Sequence, residues 1–186
     1  MVEIVVPKIQ SKWIALFIDG IFWKKVNKQL FIRHLGSPLM RQEFAAIEEK
    51  VAKETSIQLL AKRSYLSSML ERKLKSKGLG EQAIRQAIAF CQEKGYLNDF
   101  AESKRLIERE ERKGRGAKAI AFALQQRGMV VSYQMMSELE RREINALKEW
   151  QQKYSKKLAS LSSQKKITFL LRRGYAMETI LQLQNS

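Results

Sequence analysis

The sequence predicts a mainly α protein: tandem three-helix repeats forming a curved array, preceded by a small N-terminal β-hairpin or meander with short helices. Three observations carry that prediction. The stretch Leu66–Asp99, LSSMLERKLKSKGLGEQAIRQAIAFCQEKGYLND, reads as two helices ending at Gly78 and Gly95, and Ile84, Ala87, Ile88 and Cys91 form one apolar stripe at i, i+3, i+4 and i+7. The pattern Leu-x-x-basic-Gly occurs three times, as Leu74–Lys77–Gly78, Leu124–Arg127–Gly128 and Leu170–Arg173–Gly174, with glycines 50 (78 to 128) and 46 (128 to 174) residues apart. That period suits a two- or three-helix repeat. The opening residues instead hold short β-branched and aromatic runs.

Those runs are EIVVPK (3–8), KWIALFI (12–18) and IFWKK (21–25). Asp19-Gly20 joins the second and third as a tight hairpin turn, and Pro7 makes the first an edge strand. A three-stranded meander is too small to stand alone, so Trp13, Phe17, Phe22 and Trp23 are expected to pack it onto helices. Asn27 caps a short helix through Phe31 to Leu35, ended by Gly36 and the Ser37-Pro38 turn. His34 at that helix end reads as a partner for the helix dipole. From Arg41, Phe44, Ile47 and Val51 mark a helix whose Glu43, Glu48 and Glu49 face water. Thr55-Ser56 reads as the cap of a new helix, Ile57–Ser76, burying Leu59, Leu66, Leu70 and Leu74.

The expected organisation is therefore an N-terminal unit over 1–55 and three repeats over 56–99, 100–142 and 143–186. In the second, Phe100–Arg112 is a helix dense in basic residues, broken by Lys113-Gly114-Arg115-Gly116. Ala117–Arg127 follows, with Ala117, Ile120, Ala121 and Leu124 on one face, and Ser132 caps a helix starting near Tyr133. Leu147, Trp150, Tyr154, Leu158 and Leu161 mark a long helix ending near Ser160–Ser163, and Lys165–Arg173 and Met177–Leu183 complete the third repeat.

The 186 residues, 45% hydrophobic, are enough for one or two units with real cores. The N-terminus does not read as a signal peptide, and no window nears the roughly 18 apolar residues of a membrane span. One cysteine, Cys91, on an apolar face, fits a small core residue in a reducing, cytoplasmic protein. Catalysis finds little support. A single histidine and a single cysteine build no zinc site, and the carboxylates lie among helix charges without a partner cluster for acid–base work or Mg²⁺. Gly114-Arg115-Gly116 before a helix offers N–H groups to a phosphate, but no strand precedes it and no Lys-Ser/Thr completes a P-loop. The reading is of a protein that is not an enzyme, with no cofactor, metal, membrane or small-molecule substrate.

Charge points to the partner. The net charge of +16 is uneven: residues 1–55 hold 9 Lys/Arg against 6 Asp/Glu, and residues 56–186 hold 26 against 13. Such an excess suits a polyanion, either nucleic acid or a protein assembled on it.

Several stretches together resemble the RecX family of recombinase regulators: Tyr65–Leu79 (YLSSMLERKLKSKGL), Gly95–Asp99 (GYLND), Lys113–Gly128 (KGRGAKAIAFALQQRG) and Leu170–Tyr175 (LLRRGY). The opening IALFIDGIFWKKV is similar to the strand-rich start of some members. The sequence departs from the family pattern at Asn98, where an aspartate is usual, at Ser67-Ser68-Met69, and just after Asp99, where the spacing is shorter. The resemblance implies an N-terminal segment followed by three-helix repeats. It further implies binding to the RecA–single-stranded DNA filament, with restraint of strand exchange and coupled ATP hydrolysis, in DNA repair, recombination and the SOS response. The family brings no catalytic residues.

Candidates for the filament- or nucleic-acid-binding surface are Arg105, Arg109, Arg112, Arg115, Lys118, Lys165, Lys166, Arg172 and Arg173, each of which reads equally well as a solvated face residue. The second reading is a direct nucleic-acid-binding module of helix-turn-helix or Myb-like type, on single- or double-stranded DNA. The spread of basic residues over several helices, instead of one recognition helix, speaks against specific base reading.

Overall fold

Three antiparallel strands, β1 (Val2–Val5), β2 (Trp13–Ile18) and β3 (Ile21–Asn27), pair in the order β1-β2-β3. The computed structural model describes residues 2–5, 12–18, 20–31, 41–155 and 161–184. Readings placed on Pro7, Asp19, His34, Leu35, Gly36, Ser37-Pro38 and Leu158 lie outside them. Ile18 faces Ile21 across a two-residue turn in which Gly20 takes φ 77°, a value that glycine adopts without steric cost.

The sheet meets helices through aromatic residues, as its composition predicts. Trp23 stands edge-on to Phe44 at 5.2 Å between centroids, and Phe44 stacks on Phe31 at 5.6 Å. Phe22 meets Phe17 edge-on yet stays half exposed. Asn27 accepts a hydrogen bond from the Gln29 N–H and so caps α1 (Lys28–Phe31).

Helices α2 (Arg41–Lys62), α3 (Ser67–Lys75) and α4 (Glu81–Glu93) complete the first of two units, residues 1–99. Their shared core includes Phe44, Val51, Leu70, Leu74, Ile84, Ala87 and Cys91. Burial pushes the Cys91 thiol up, as befits a core residue. Two expectations are corrected here. No helix starts at Thr55-Ser56: α2 runs through both, because Ser56 Oγ donates back to the Ala52 carbonyl at 2.7 Å and both side chains are buried. The break comes at residues 63–66 instead. Nor does Glu48 face water. It is buried, accepts the Gly80 N–H at the start of α4, and pairs with Lys24.

The second unit, residues 100–186, contains nearly all of α5 (Asp99–Arg112), then α6 (Ala117–Gln126), α7 (Tyr133–Lys153), α8 (Ser163–Arg172) and α9 (Met177–Gln184). It has two cores. Leu106, Ile120, Leu124 and Leu139 build one; Leu147, Trp150, Leu170, Tyr175 and Ile180 build the other. The separate helices expected near Tyr133 and across Leu147–Leu161 are one continuous α7 as far as Lys153, feeding Leu139 to one core and Leu147 and Trp150 to the next. Its start is capped by Ser132, as predicted.

The recurring Leu-x-x-basic-Gly has a definite geometry. Each glycine has positive φ, and the residue after it donates to the carbonyl of the motif leucine: Leu79 to Leu74, Met129 to Leu124, Tyr175 to Leu170. This is the Schellman ending, in which a buried leucine also meets the apolar residue past the glycine. A fourth instance closes α5, where Arg115 N–H donates to the Glu110 carbonyl at 3.1 Å around Gly114. There the two positions hold glutamate and arginine.

Candidate nucleic-acid interface

In the second unit, the turn Lys113–Gly116 packs backbone against backbone on the turn Arg173–Tyr175. The Gly116 N–H donates to the Arg173 carbonyl at 2.9 Å, and the Lys118 N–H to the Gly174 carbonyl at 3.2 Å. Contact this close requires glycine. A Cβ on Gly116 would lie 2.5 Å from Gly174, and one on Gly174 2.5 Å from the Ala119 nitrogen. Gly114 presses on the Trp150 ring, leaving no room for a side chain. The N–H groups that the sequence offers to a phosphate are therefore used internally. Besides Gly116 and Lys118, Ala117 N–H donates to Glu143 Oε1 at 2.8 Å, so the start of α6 offers no phosphate cradle.

What the two turns leave exposed is positive. A cleft of about 560 Å³ is lined by Lys113, Arg115, Ala119, Arg172 and Arg173. Beside it a second groove holds Lys165, Thr168 and Phe169 and shares Arg172. The sequence stretches that build them carry no acid: residues 112–137 hold five Lys/Arg, residues 150–177 hold seven, and neither holds Asp or Glu.

Glu110 lies under the cleft's edge, its side chain 3% exposed. Lys113 Nζ reaches its Oε1 at 2.9 Å, Arg115 Nε its Oε2 at 3.2 Å, and Arg109 Nε its Oε1 at 3.6 Å. Burial pushes this carboxyl up, but the Lys113 hydrogen bond and the charges of Lys113, Arg115 and Arg109 outweigh it and hold the carboxyl below its ordinary value. Glu110 is thus an anion that keeps two of the cleft's cations in place.

Arg173 is differently engaged. Its guanidinium lies 4.8 Å from the Trp150 ring centroid and 4.7 Å from that of Phe169, and Nη1 donates to the carbonyls of Lys113 at 2.5 Å and Gly114 at 3.2 Å. It forms a wall of the cleft and ties one turn to the other.

The nine sequence candidates do not share one surface. Arg115, Arg172 and Arg173 line the cleft, and Lys165 lies with Arg172 in the neighbouring groove. Lys118 is exposed on α6 and Lys166 half-buried on α8. Arg105, Arg109 and Arg112 sit on a helix with four Lys/Arg and five Asp/Glu, facing Glu102, Glu110 and Glu108 at 3.6–3.7 Å. Arg112 also belongs to a mixed pocket with Glu108, Glu111 and Glu149. Counting only the basic residues of α5 overlooked its acids. Sequence reasoning misses two residues of the site: Lys113, which reads only as part of a turn, and Glu110, whose signal is a glutamate where the sister endings carry leucine. Among the described residues no cluster of His, Cys, Asp or Glu is placed to hold a metal, and no helix is long and apolar enough to cross a membrane.

No family model matches the chain. Individual proteins do. It is 32% identical over 134 residues to the regulatory protein RecX of Vibrio parahaemolyticus, covering 69% of this chain and 86% of that one. It is 31% identical over 148 residues to that of Escherichia coli, covering 70% and 87%. A crystal structure of regulatory protein RecX superposes over 100% of both chains with a TM-score of 0.59 at 15% identity. That of RecX from Lactobacillus salivarius gives 0.62 at 15% identity, over 75% of this chain and 96% of the other. At such identity these two structures speak to the fold alone.

Proposed function

The chain belongs to the RecX family of regulatory proteins, and from that premise we propose that it binds the RecA–single-stranded DNA filament in the cytoplasm. There it restrains strand exchange and the coupled ATP hydrolysis. The observation that carries this reading is the acid-free, basic lining of the cleft and groove in the second unit, centred on Lys113, Arg115 and Arg172. A filament offers two kinds of anion at once, protein carboxylates and strand phosphates, and a rigid basic surface suits both. Long-range attraction speeds such docking and weakens with salt.

The repeat organisation belongs to the same proposal, with its limits moved to helix ends. One set is α2–α4, a second is α5–α7, and a third takes the end of α7 with α8 and α9. Sharing α7 makes the second and third sets one rigid block. That suits contact with several successive protomers or phosphates, where an ordered surface loses little entropy on binding.

A direct nucleic-acid module is the second reading, favoured by the cleft's arginine pair, which suits phosphate oxygens. Binding of the full chain to RecA filament, free single strand and duplex, measured side by side, separates them. Preference for the filament is expected. Equal affinity for naked single strand establishes the second reading in its place.

A further inference from the structure

We propose that Glu110 is a positioning residue that, by holding Arg115 and Lys113, converts the cleft into a site for one backbone phosphate of a nucleic-acid strand. This deepens the filament-binding function proposed above and rests on it for its setting, while naming a different ligand atom: phosphodiester oxygen instead of protein carboxylate.

The argument starts from the four helix endings. Three pair a buried leucine with an apolar residue past the glycine: Leu74 with Leu79, Leu124 with Met129, Leu170 with Tyr175. The ending of α5 reproduces their backbone bonds and glycine conformation, so the turn geometry itself does not call for charged residues there. Yet it holds a carboxylate 3% exposed and a guanidinium. Burying a carboxylate where a leucine fits costs stability or gains none. A buried carboxylate at a cleft's edge that faces half-exposed cations is characteristic of sites that do something else.

What the carboxylate does is fix cations. Glu110 draws Arg115 Nε and Lys113 Nζ to its two oxygens, and so holds both in the cleft lining that they share with Arg172. Arg115 keeps two further guanidinium nitrogens for a ligand, and Lys113 and Arg172 are exposed. Three cations in a cleft also lined by Ala119 suit a tetrahedral oxyanion. A strand's phosphates recur at short intervals, and the cations continue through Arg172 to Lys165 in the adjoining groove. A single surface carboxylate would leave that continuation without partners.

The test is the double substitution Glu110→Leu with Arg115→Leu in the full chain. It copies the sister endings and leaves the net charge at +16. Any change in binding is then local, not a change in overall attraction. The probe is a labelled single-stranded oligonucleotide titrated across salt, with an acidic peptide of equal charge as the second arm. The expected result is unchanged or raised melting temperature, several-fold weaker oligonucleotide binding, and a plot of log K against log salt shallower by about one. Wild-type oligonucleotide affinity and slope in a folded double variant overturn the proposal. So does a loss confined to the acidic peptide, which assigns the cleft to protein carboxylates. If the double variant does not fold, Arg172→Leu, on an exposed side chain, must show the same shallower slope, and an unchanged slope again overturns the site. A wild-type chain that ignores RecA filament but binds oligonucleotide through this cleft sinks the function proposed above and leaves the phosphate site standing.

Discussion

Glu143, in the middle of α7, accepts the backbone N–H of Ala117 at 2.8 Å and thereby caps a helix 26 residues earlier in the chain. Its other oxygen takes the Thr179 hydroxyl at 2.6 Å and the Ala176 N–H at 3.3 Å, at the start of α9. One buried carboxylate therefore closes two helix N-termini, where free N–H groups and the helix dipoles both favour an anion. Glu48 does the same for Gly80 at the start of α4.

Removing that carboxylate strands two buried amides and a hydroxyl. Glu143→Leu is expected to cost about 2–4 kcal/mol. Glu143→Gln, which keeps one acceptor oxygen, should cost roughly half as much. Urea denaturation monitored by circular dichroism reads both. If Leu and Gln lie within error of wild type, the carboxylate caps nothing that matters to the fold.

The crossing of the two turns makes a sharper comparison among glycines. Gly95 has φ 70° and nothing within 4 Å of where its Cβ would lie, so Gly95→Ala is charged only the left-handed strain, about 1–2 kcal/mol. Gly174→Ala carries the same strain, at φ 86°, and also drives a methyl into the Ala119 backbone. Gly116→Ala meets the Gly174 carbonyl. Both are expected to destabilise well beyond Gly95→Ala, and to reduce oligonucleotide binding by spreading the cleft. Equal melting temperatures for all three variants are incompatible with this packing.

These relationships also mark what the sequence does and does not reveal. The Leu-x-x-basic-Gly endings are legible because a Schellman cap is local: six residues hold the donor, the acceptor and the glycine. The hairpin at Gly20 and the Ser132 cap are legible for the same reason. Glu48, Glu143 and Asp99, whose Oδ1 accepts the Ser67 N–H at 2.7 Å, act across 26 to 36 residues, and nothing local separates them from solvated helix acids. Thr55-Ser56 misleads in the opposite sense. A hydroxyl that caps one helix can equally bond back within another, and burial decides which. The cleft lay half in view, since Arg115 and Arg172 stand out as basic residues beside turns. Their meeting depends on Gly116 and Gly174 touching, which no spacing encodes.

Arg173 and Arg172 are neighbours with opposite expected phenotypes. Arg173 lies within cation–π reach of two stacked aromatic rings and donates to two carbonyls, so Arg173→Ala should cost about 1–3 kcal/mol and lower the melting temperature. Arg172 is exposed, and Arg172→Ala should stay within about 0.5 kcal/mol of wild type while weakening oligonucleotide binding. Thermal melts and binding isotherms on the two variants must move in this crossed pattern. A stable Arg173→Ala variant would show that the ring contacts and the two carbonyl bonds add nothing.

Tyr175 gives a prediction in pH. Its ring is 1% exposed and its hydroxyl has no hydrogen-bond partner among the described residues. Burial raises its pKa most, the charge of Glu143 raises it further, and Arg173 only partly offsets them. The folded-state value is thus above the unfolded one, near 10. Stability contributed by the neutral phenol is fully present below pH 10 and drains away as pH rises toward the folded value, at about 1.4 kcal/mol per pH unit from this group. Tyr175→Phe cannot ionise and, with no bond lost, should match wild type at pH 7. Other groups titrate equally in both chains, so the informative quantity is the difference in urea midpoint between them. It should stay near zero up to pH 9 and then grow in favour of phenylalanine through pH 10.5 and 11. Parallel curves over that range would mean that the tyrosine hydroxyl reaches water in the folded protein, and that the core of α7, α8 and α9 is looser than its packing here.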